Sequence, residues 1–176
     1  KKKRLNKIKL HNSEKVLCAK YRKGHFEGVL DVIDRLTNLI APKYIFMGEK
    51  DFQQFFLLKK FIEKKYDTKI IFCKTIRDIN KAALSSRNYF LDKNSLLTVG
   101  KVAKFLIELK KLINKDKKKS NSLIKRYKKI LIKKFKIKIE YLEIRNINNL
   151  KTSIILKKYK IFIAYYLKNT RLIDNF

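Results

Sequence analysis

Glycine and proline are scarce in this chain: four glycines and one proline in 176 residues. Three of the glycines, Gly24, Gly28 and Gly48, and the single proline, Pro42, fall between residues 24 and 48. That stretch is where backbone geometry is expected to matter. Cysteine is limited to Cys18 and Cys73, which form no Cys-x-x-Cys pair and no disulfide framework. Two such isolated thiols read as reduced core residues of a cytosolic protein. His11 and His25 stand at no metal-ligand spacing from each other or from the cysteines. No apolar run approaches the roughly 18 residues a membrane helix needs. Nor is Lys1-Lys2-Lys3-Arg4 followed by the apolar segment of a signal peptide. The chain lacks an initiating methionine, Met47 being its only one, and is expected to be a piece of a longer protein.

Acidic residues are also few, 15 against 46 Lys and Arg, for a formal charge of +31. Such a balance raises a nucleic-acid interface as a hypothesis, one that predicts tight, steeply salt-dependent binding to DNA or RNA. Only eight of the basic residues are arginine, the usual choice for base and bidentate phosphate contacts. The lysines run through every segment alongside Asn and Ile. The aromatics are Phe and Tyr at core-like spacing, not interleaved with basic residues on one face. An A/T-rich coding bias accounts for this pattern, so nucleic acid is not expected as a partner. Lys115 to Lys119 reads as a solvated loop. What remains is ordinary: 45% hydrophobic residues, enough for a packed core at this length.

From Phe26 to Ile40, Val29, Leu30, Val32, Ile33, Leu36, Leu39 and Ile40 recur at intervals of three and four, predicting a helix with one buried face that Pro42 stops. Tyr44-Ile45-Phe46-Met47, between Pro42 and Gly48, predicts a buried parallel strand. A helix over Phe52 to Lys64 follows, with Phe52, Phe55, Phe56, Phe61 and Ile62 inward, then a strand over Lys69 to Cys73. This order is an α/β pattern with a parallel sheet. The character changes after about Arg77. Helices are predicted over Leu96 to Ile113 and Leu123 to Phe135, and strands over Ile137 to Ile144, Ile154 to Leu156 and Ile161 to Tyr166. The expected organisation is α/β, with a parallel-sheet domain over residues 1–76 and a small α+β domain over 77–176.

Two polar runs carry the chemistry. Gly48-Glu49-Lys50-Asp51 lies at the carboxyl end of the first strand, where parallel α/β sheets bind ligands. The helix N-terminus that follows favours an anion, and Lys50 can neutralise phosphate charge. Either Gln53 or Gln54 could hydrogen-bond a small hydroxy acid. The competing reading is a tight turn with a solvated Lys50 and an N-cap Asp51. Leu84-Ser85-Ser86-Arg87-Asn88 offers hydroxyls, a guanidinium and backbone amides, a set that suits phosphate oxygens. Its alternative is a polar interdomain loop. In Gly24-His25-Phe26-Glu27-Gly28-Val29, His25 could position a substrate or could simply cap and pack.

Five stretches together identify a resemblance: Lys23 to Val29, Met47 to Gln54, Ala83 to Asn88, Tyr141 to Arg145 and Thr170 to Asn175. With these the chain resembles the pantothenate synthetase (pantoate–β-alanine ligase) family. The resemblance implies a Rossmann-like nucleotidyltransferase domain, here partial, and a two-step reaction. Pantoate attacks the α-phosphate of ATP to give pantoyl adenylate and pyrophosphate, and β-alanine then displaces AMP. Mg2+ accompanies the phosphates. By resemblance, Gly48, Glu49, Lys50, Asp51, Ile76, Leu84, Ser85, Ser86 and Arg87 are ATP-binding, and Gln54 is pantoate-binding. A cytoplasmic homodimer is implied. The family's catalytic histidine, in a His-x-Gly-His motif, has no counterpart here, so the chain alone is expected to be inactive. A degenerate, non-catalytic remnant is the alternative. Asn80-Lys81 stands where the family prefers Asp-Gly, and Lys23 where it has proline.

Overall fold

A computed structural model describes residues 8–152 and 158–176. The chain forms two compact units, Lys1–Lys74 and Thr75–Phe176, so Ile76 belongs to the second. The strand expected over Ile154 to Leu156 lies outside the described residues.

In the first unit a 3-10 turn at Asn12–Glu14, capped by the His11 side chain, precedes the short helix α1 (Cys18–Tyr21). Helix α2 (His25–Ile40) follows Gly24, whose φ of 76° lies in the left-handed region that glycine adopts without strain. Ala41 ends the helix with its N–H on the Thr37 carbonyl, and Pro42 prevents continuation. Then come β1 (Tyr44–Gly48), a 3-10 turn at Glu49–Asp51, α3 (Phe52–Lys65) and β2 (Lys69–Cys73). The two strands pair in parallel, from Tyr44 opposite Lys69 to Gly48 opposite Cys73. A parallel pair needs a crossover between its strands, and α3 is that crossover. Its Phe52, Leu57, Leu58 and Ile62 are buried, whereas Phe55, Phe56 and Phe61 are only half-buried.

Three burial expectations are corrected. On α2 only Phe26, Leu30 and Thr37 are buried, while Val32, Leu36, Leu39 and Ile40 are exposed, Leu39 by 81%. On β1, Tyr44 and Phe46 are exposed. Cys18 is buried, but Cys73 is exposed at the end of β2. Hydrophobic spacing reports which residues share a face; it does not report what covers that face.

The second unit contains α4 (Lys93–Lys115), α5 (Ser120–Phe135), β3 (Lys138–Asn146), β4 (Tyr159–Leu167) and β5 (Thr170–Asn175). The three strands form an antiparallel sheet in the order β3-β4-β5. Val102, Leu106, Leu109 and Ile113 of α4, Leu131 of α5, and Ile161 and Ile163 of β4 lie in one buried cluster. Their spacing of three and four on α4, and of two on β4, is the periodicity by which each element presents one face. Lys115 closes α4 and Lys117–Lys119 makes an exposed 3-10 turn, so the run expected as a loop is partly helical.

Asp92 caps α4: its Oδ1 accepts from the Ser95 N–H at 2.7 Å, and its Oδ2 accepts from Lys168. The Lys168 ammonium, with the Ser95 bonds, pulls the Asp92 carboxyl down to about 2. In the unfolded chain the same group takes up a proton near 3.8. Protonation therefore favours unfolding between these values, and the contribution is intact above pH 4 and lost as pH falls towards 2. Urea midpoints taken from pH 5 to pH 2 should fall for the native protein. In Asp92→Asn that part of the fall should disappear. Because the pair is exposed, added salt should shrink the difference.

Candidate functional site

In the first unit, Gly48, Glu49, Lys50, Asp51 and Gln54 sit together at the junction of β1 and α3, as the sequence places them. Gly48 is extended (φ −69°, ψ 136°), and a Cβ at that position would meet nothing within 4 Å. Its backbone therefore adjoins open space at the carboxyl end of a parallel strand. Asp51 occupies the N-cap position of α3 but makes no side-chain cap hydrogen bond, so the capping alternative does not describe it. The Lys50 ammonium lies 3.5 Å from the Asp51 carboxylate, with its side chain 20% exposed.

The two glutamines separate cleanly. Gln53 is buried, at 5% exposure. Its Nε2 donates to the carbonyls of Glu14 at 3.1 Å and Val16 at 2.7 Å, and its Oε1 accepts from the Ala19 N–H at 3.4 Å. It therefore fastens the segment before α1 to α3. Gln54, the next residue, is half-buried. His25 is the first residue of α2, and its ring sits 5.0 Å from that of Phe26.

In the second unit, residues Ile76 to Leu84 form a small hairpin. Arg77 bridges Ala83, the Leu84 N–H donates to the Ile76 carbonyl at 3.0 Å, and the Asp78 N–H donates to the Ala82 carbonyl at 2.9 Å. Ile76 and Leu84 are thus brought opposite each other, 72% and 52% exposed. Ser86–Phe90 then forms a 3-10 turn, with the Ser85 side chain accepting from the Arg87 N–H at 3.3 Å. Arg87 Nη1 donates to the Arg171 carbonyl of β5 at 2.8 Å. Arg87 therefore holds structure as well as offering charge, and its truncation would confound the two roles.

At the tip of this hairpin, Lys81 adopts φ 77°. This is one of the two positions where the sequence departs from the resembled Asp-Gly, and the backbone keeps a conformation suited to glycine. A side chain in the left-handed region costs about 1–2 kcal/mol. Lys81→Gly is expected to stabilise the second unit by about 1 kcal/mol after the added freedom of the unfolded chain is counted. The measure is the urea midpoint at constant m-value. The neighbouring Asn80 packs on α4 at Gly100, where a Cβ would come within 2.7 Å of Asn80 Cγ, so only glycine admits that approach.

The sequence reading missed Arg77 and the structural use of Gln53. Arg77 could have been noticed as one of eight arginines in a lysine-dominated chain.

The family model for pantoate-beta-alanine ligase matches residues 2–176. The chain belongs to the pantoate–β-alanine ligase family. A pantothenate synthetase of Flavobacterium psychrophilum is 36% identical over 160 residues, covering 89% of this chain and 56% of that protein. The chain thus spans little more than half the length of such a relative. Among solved structures, a pantothenate synthetase from Thermus thermophilus matches with a TM-score of 0.88 over 97% of this chain and 63% of its own, at 22% identity. That match establishes the pantothenate synthetase fold, α/β with a parallel sheet in one unit and a small antiparallel sheet with helices in the other. A ligase from Francisella tularensis, solved with beta-gamma ATP and beta-alanine, matches at 28% identity with a TM-score of 0.69 over 96% of this chain and 56% of its own.

Proposed function

We propose that this chain provides the ATP- and pantoate-binding part of a pantoate–β-alanine ligase, which condenses pantoate with β-alanine through a pantoyl adenylate. The single observation carrying this reading is membership of the ligase family over residues 2–176. In this reading the first unit, Lys1–Lys74, is the C-terminal part of the nucleotide-binding domain, and the second, Thr75–Phe176, is the small α+β domain.

Gly48, Glu49, Lys50 and Asp51 make the first ATP run. Gly48 leaves open space beside the backbone, and Lys50 opposes phosphate charge at a helix N-terminus, where anions are favoured. Ile76 and Leu84, exposed side by side, offer an apolar surface for the base. Ser85, Ser86 and Arg87 supply hydroxyl, amide and guanidinium donors for phosphate oxygens. Gln54 holds pantoate. Fixing the pantoate carboxylate against the α-phosphate replaces a bimolecular encounter with a positioned one. Cationic donors stabilise the charge that builds on the phosphates as pyrophosphate leaves. The β-alanine amine then attacks the acyl carbon and AMP departs.

Magnesium is proposed to arrive with the triphosphate. Among the described residues no three or more His, Cys, Asp or Glu side chains cluster to hold a metal by themselves. In nucleotide sites Mg2+ is carried by the phosphates with one or two carboxylates, and Glu49 and Asp51 flank Lys50. The family's His-x-Gly-His histidine is supplied from outside these residues, and the chain alone is then inactive. A cytoplasmic homodimer completes the proposal.

The deciding experiment measures AMP release with ATP, pantoate and β-alanine. It is run on this chain and on the polypeptide extended by its upstream reading frame. Release by the extended protein that requires all three substrates supports the ligase. No release by the extended protein leaves a non-catalytic remnant of the same fold.

A further inference from the structure

We propose that Arg77 and Asp174 form a positioning pair for ATP, fixing the hairpin that carries Ile76 and Leu84. The proposal rests on the ligase reading above, and it assigns a role to two residues outside the ATP-binding set.

Arg77 engages its surroundings with both sides of its fork. Nη1 and Nη2 donate to the two carboxylate oxygens of Asp174, each at 2.8 Å. Nη2 also donates to the Asn175 carbonyl, and Nη1 to the Lys81 carbonyl, each at 3.1 Å. The guanidinium lies 4.6 Å over the ring of Phe176. Its side chain and that of Asp174 are 20% and 10% exposed. One residue thus ties the turn of the hairpin to the last strand of the sheet. Asp174 is held in turn by the register of β5, opposite Ile163 of β4 in the buried cluster.

The hairpin has little packing of its own at the end that would meet ATP. Ala82 and Ala83 are buried, and Asn80 Nδ2 reaches the Leu96 carbonyl of α4 at 3.3 Å. Ile76, Ile79 and Leu84, however, all project outward. Arg77 is adjacent to Ile76 and cross-bridged to Ala83, the residue before Leu84. Its bonds to β5 therefore set where the two apolar side chains stand. A fork that makes two parallel bonds fixes orientation as well as distance, which a lysine ammonium cannot reproduce.

The test uses Arg77→Lys, which keeps the charge but not the fork, and Asp174→Asn, which keeps the shape but not the charge. Both are made in the complete ligase polypeptide that carries this chain. Amide hydrogen exchange is followed at Asp78 and Leu84, with Leu106 and Ile163 as core references. KM for ATP and for pantoate are measured alongside. The expected result is exchange at Asp78 and Leu84 faster by tenfold or more and KM for ATP raised about tenfold. KM for pantoate and core protection stay unchanged. Asp174→Glu should recover part of the ATP affinity. Faster hairpin exchange with unaltered KM for ATP would overturn the proposal alone, as would equal rises in both KM values with lost core protection. Absence of ATP-dependent turnover in the unsubstituted protein would overturn the ligase reading beneath it.

Discussion

Lys50→Ala, made in the polypeptide proposed to act as the ligase, should lower kcat by about 100- to 1,000-fold, the loss typical of removing one preorganised donor to developing charge. The effect belongs to turnover and not to folding. Lys50 lies in the 3-10 turn between β1 and α3, outside the buried residues of the unit. Its ion pair with Asp51 spans 3.5 Å between adjacent residues, and such pairs contribute little to stability. Any loss of stability in Lys50→Ala should stay within about 1 kcal/mol, far too small to account for that loss of turnover. Lys50→Arg should restore only part of the rate, because a planar fork presents its donors differently from a compact ammonium. Turnover within a few-fold of normal in Lys50→Ala would remove this residue from the proposed phosphate site. Arg87→Ala is the poorer experiment, since Arg87 also secures the Arg171 carbonyl.

Most of this architecture was legible in the residues. The spacing over Phe26 to Ile40 and the short runs at Tyr44 and Lys69 predicted α2, β1 and β2 nearly to the residue, because each is bounded by Gly, Pro or a charged break. The long helix α4 was recognised, but its start was placed three residues late and its end two residues early. Its start is set by Asp92, a cap whose second partner, Lys168, lies far along the chain. Strand β5 escaped altogether as a strand. Thr170-Arg171-Leu172-Ile173-Asp174-Asn175 alternates poorly, and the two-residue turn at Lys168-Asn169 that pairs it with β4, Leu167 opposite Thr170, carries no glycine to announce it. The burial of α2 was overstated for a related reason: an amphipathic helix announces a face, and its cover is decided elsewhere.

The candidate runs stood out in the sequence by their composition, but the structural use of arginine did not. In a chain so rich in lysine, three of the eight arginines set two donors on one carboxylate: Arg77 on Asp174, Arg145 on Glu143, Arg171 on Glu140. Those three contacts use geometry that a point charge cannot replace, a role that the arginine count alone did not reveal. Lys81 is a parallel case. The backbone there holds a glycine-like φ of 77° although nothing in the residue itself signals it.

The adjacent glutamines supply the other large expected effect. Gln53→Ala should destabilise the first unit by about 3 kcal/mol, combining lost packing with half-buried carbonyls deprived of a donor. The side chain is buried and serves Glu14, Val16 and Ala19 at once. The segment before α1 would then lose its fastening to α3, and its amides should exchange faster than those of β1 and β2. Gln54→Ala should leave the denaturation midpoint within about 0.5 kcal/mol of native, as for a substitution away from buried features. In the polypeptide proposed to act as the ligase it should instead raise KM for pantoate by about 10-fold, the loss of one hydrogen bond to a charged or strongly polar partner. Chemical denaturation and steady-state kinetics on the two variants decide the assignment. Were Gln53→Ala stable but defective towards pantoate, with Gln54→Ala normal, the substrate contact would move one residue along the helix. Gln53 would then have to reach pantoate from a buried position where its amide already serves three backbone groups.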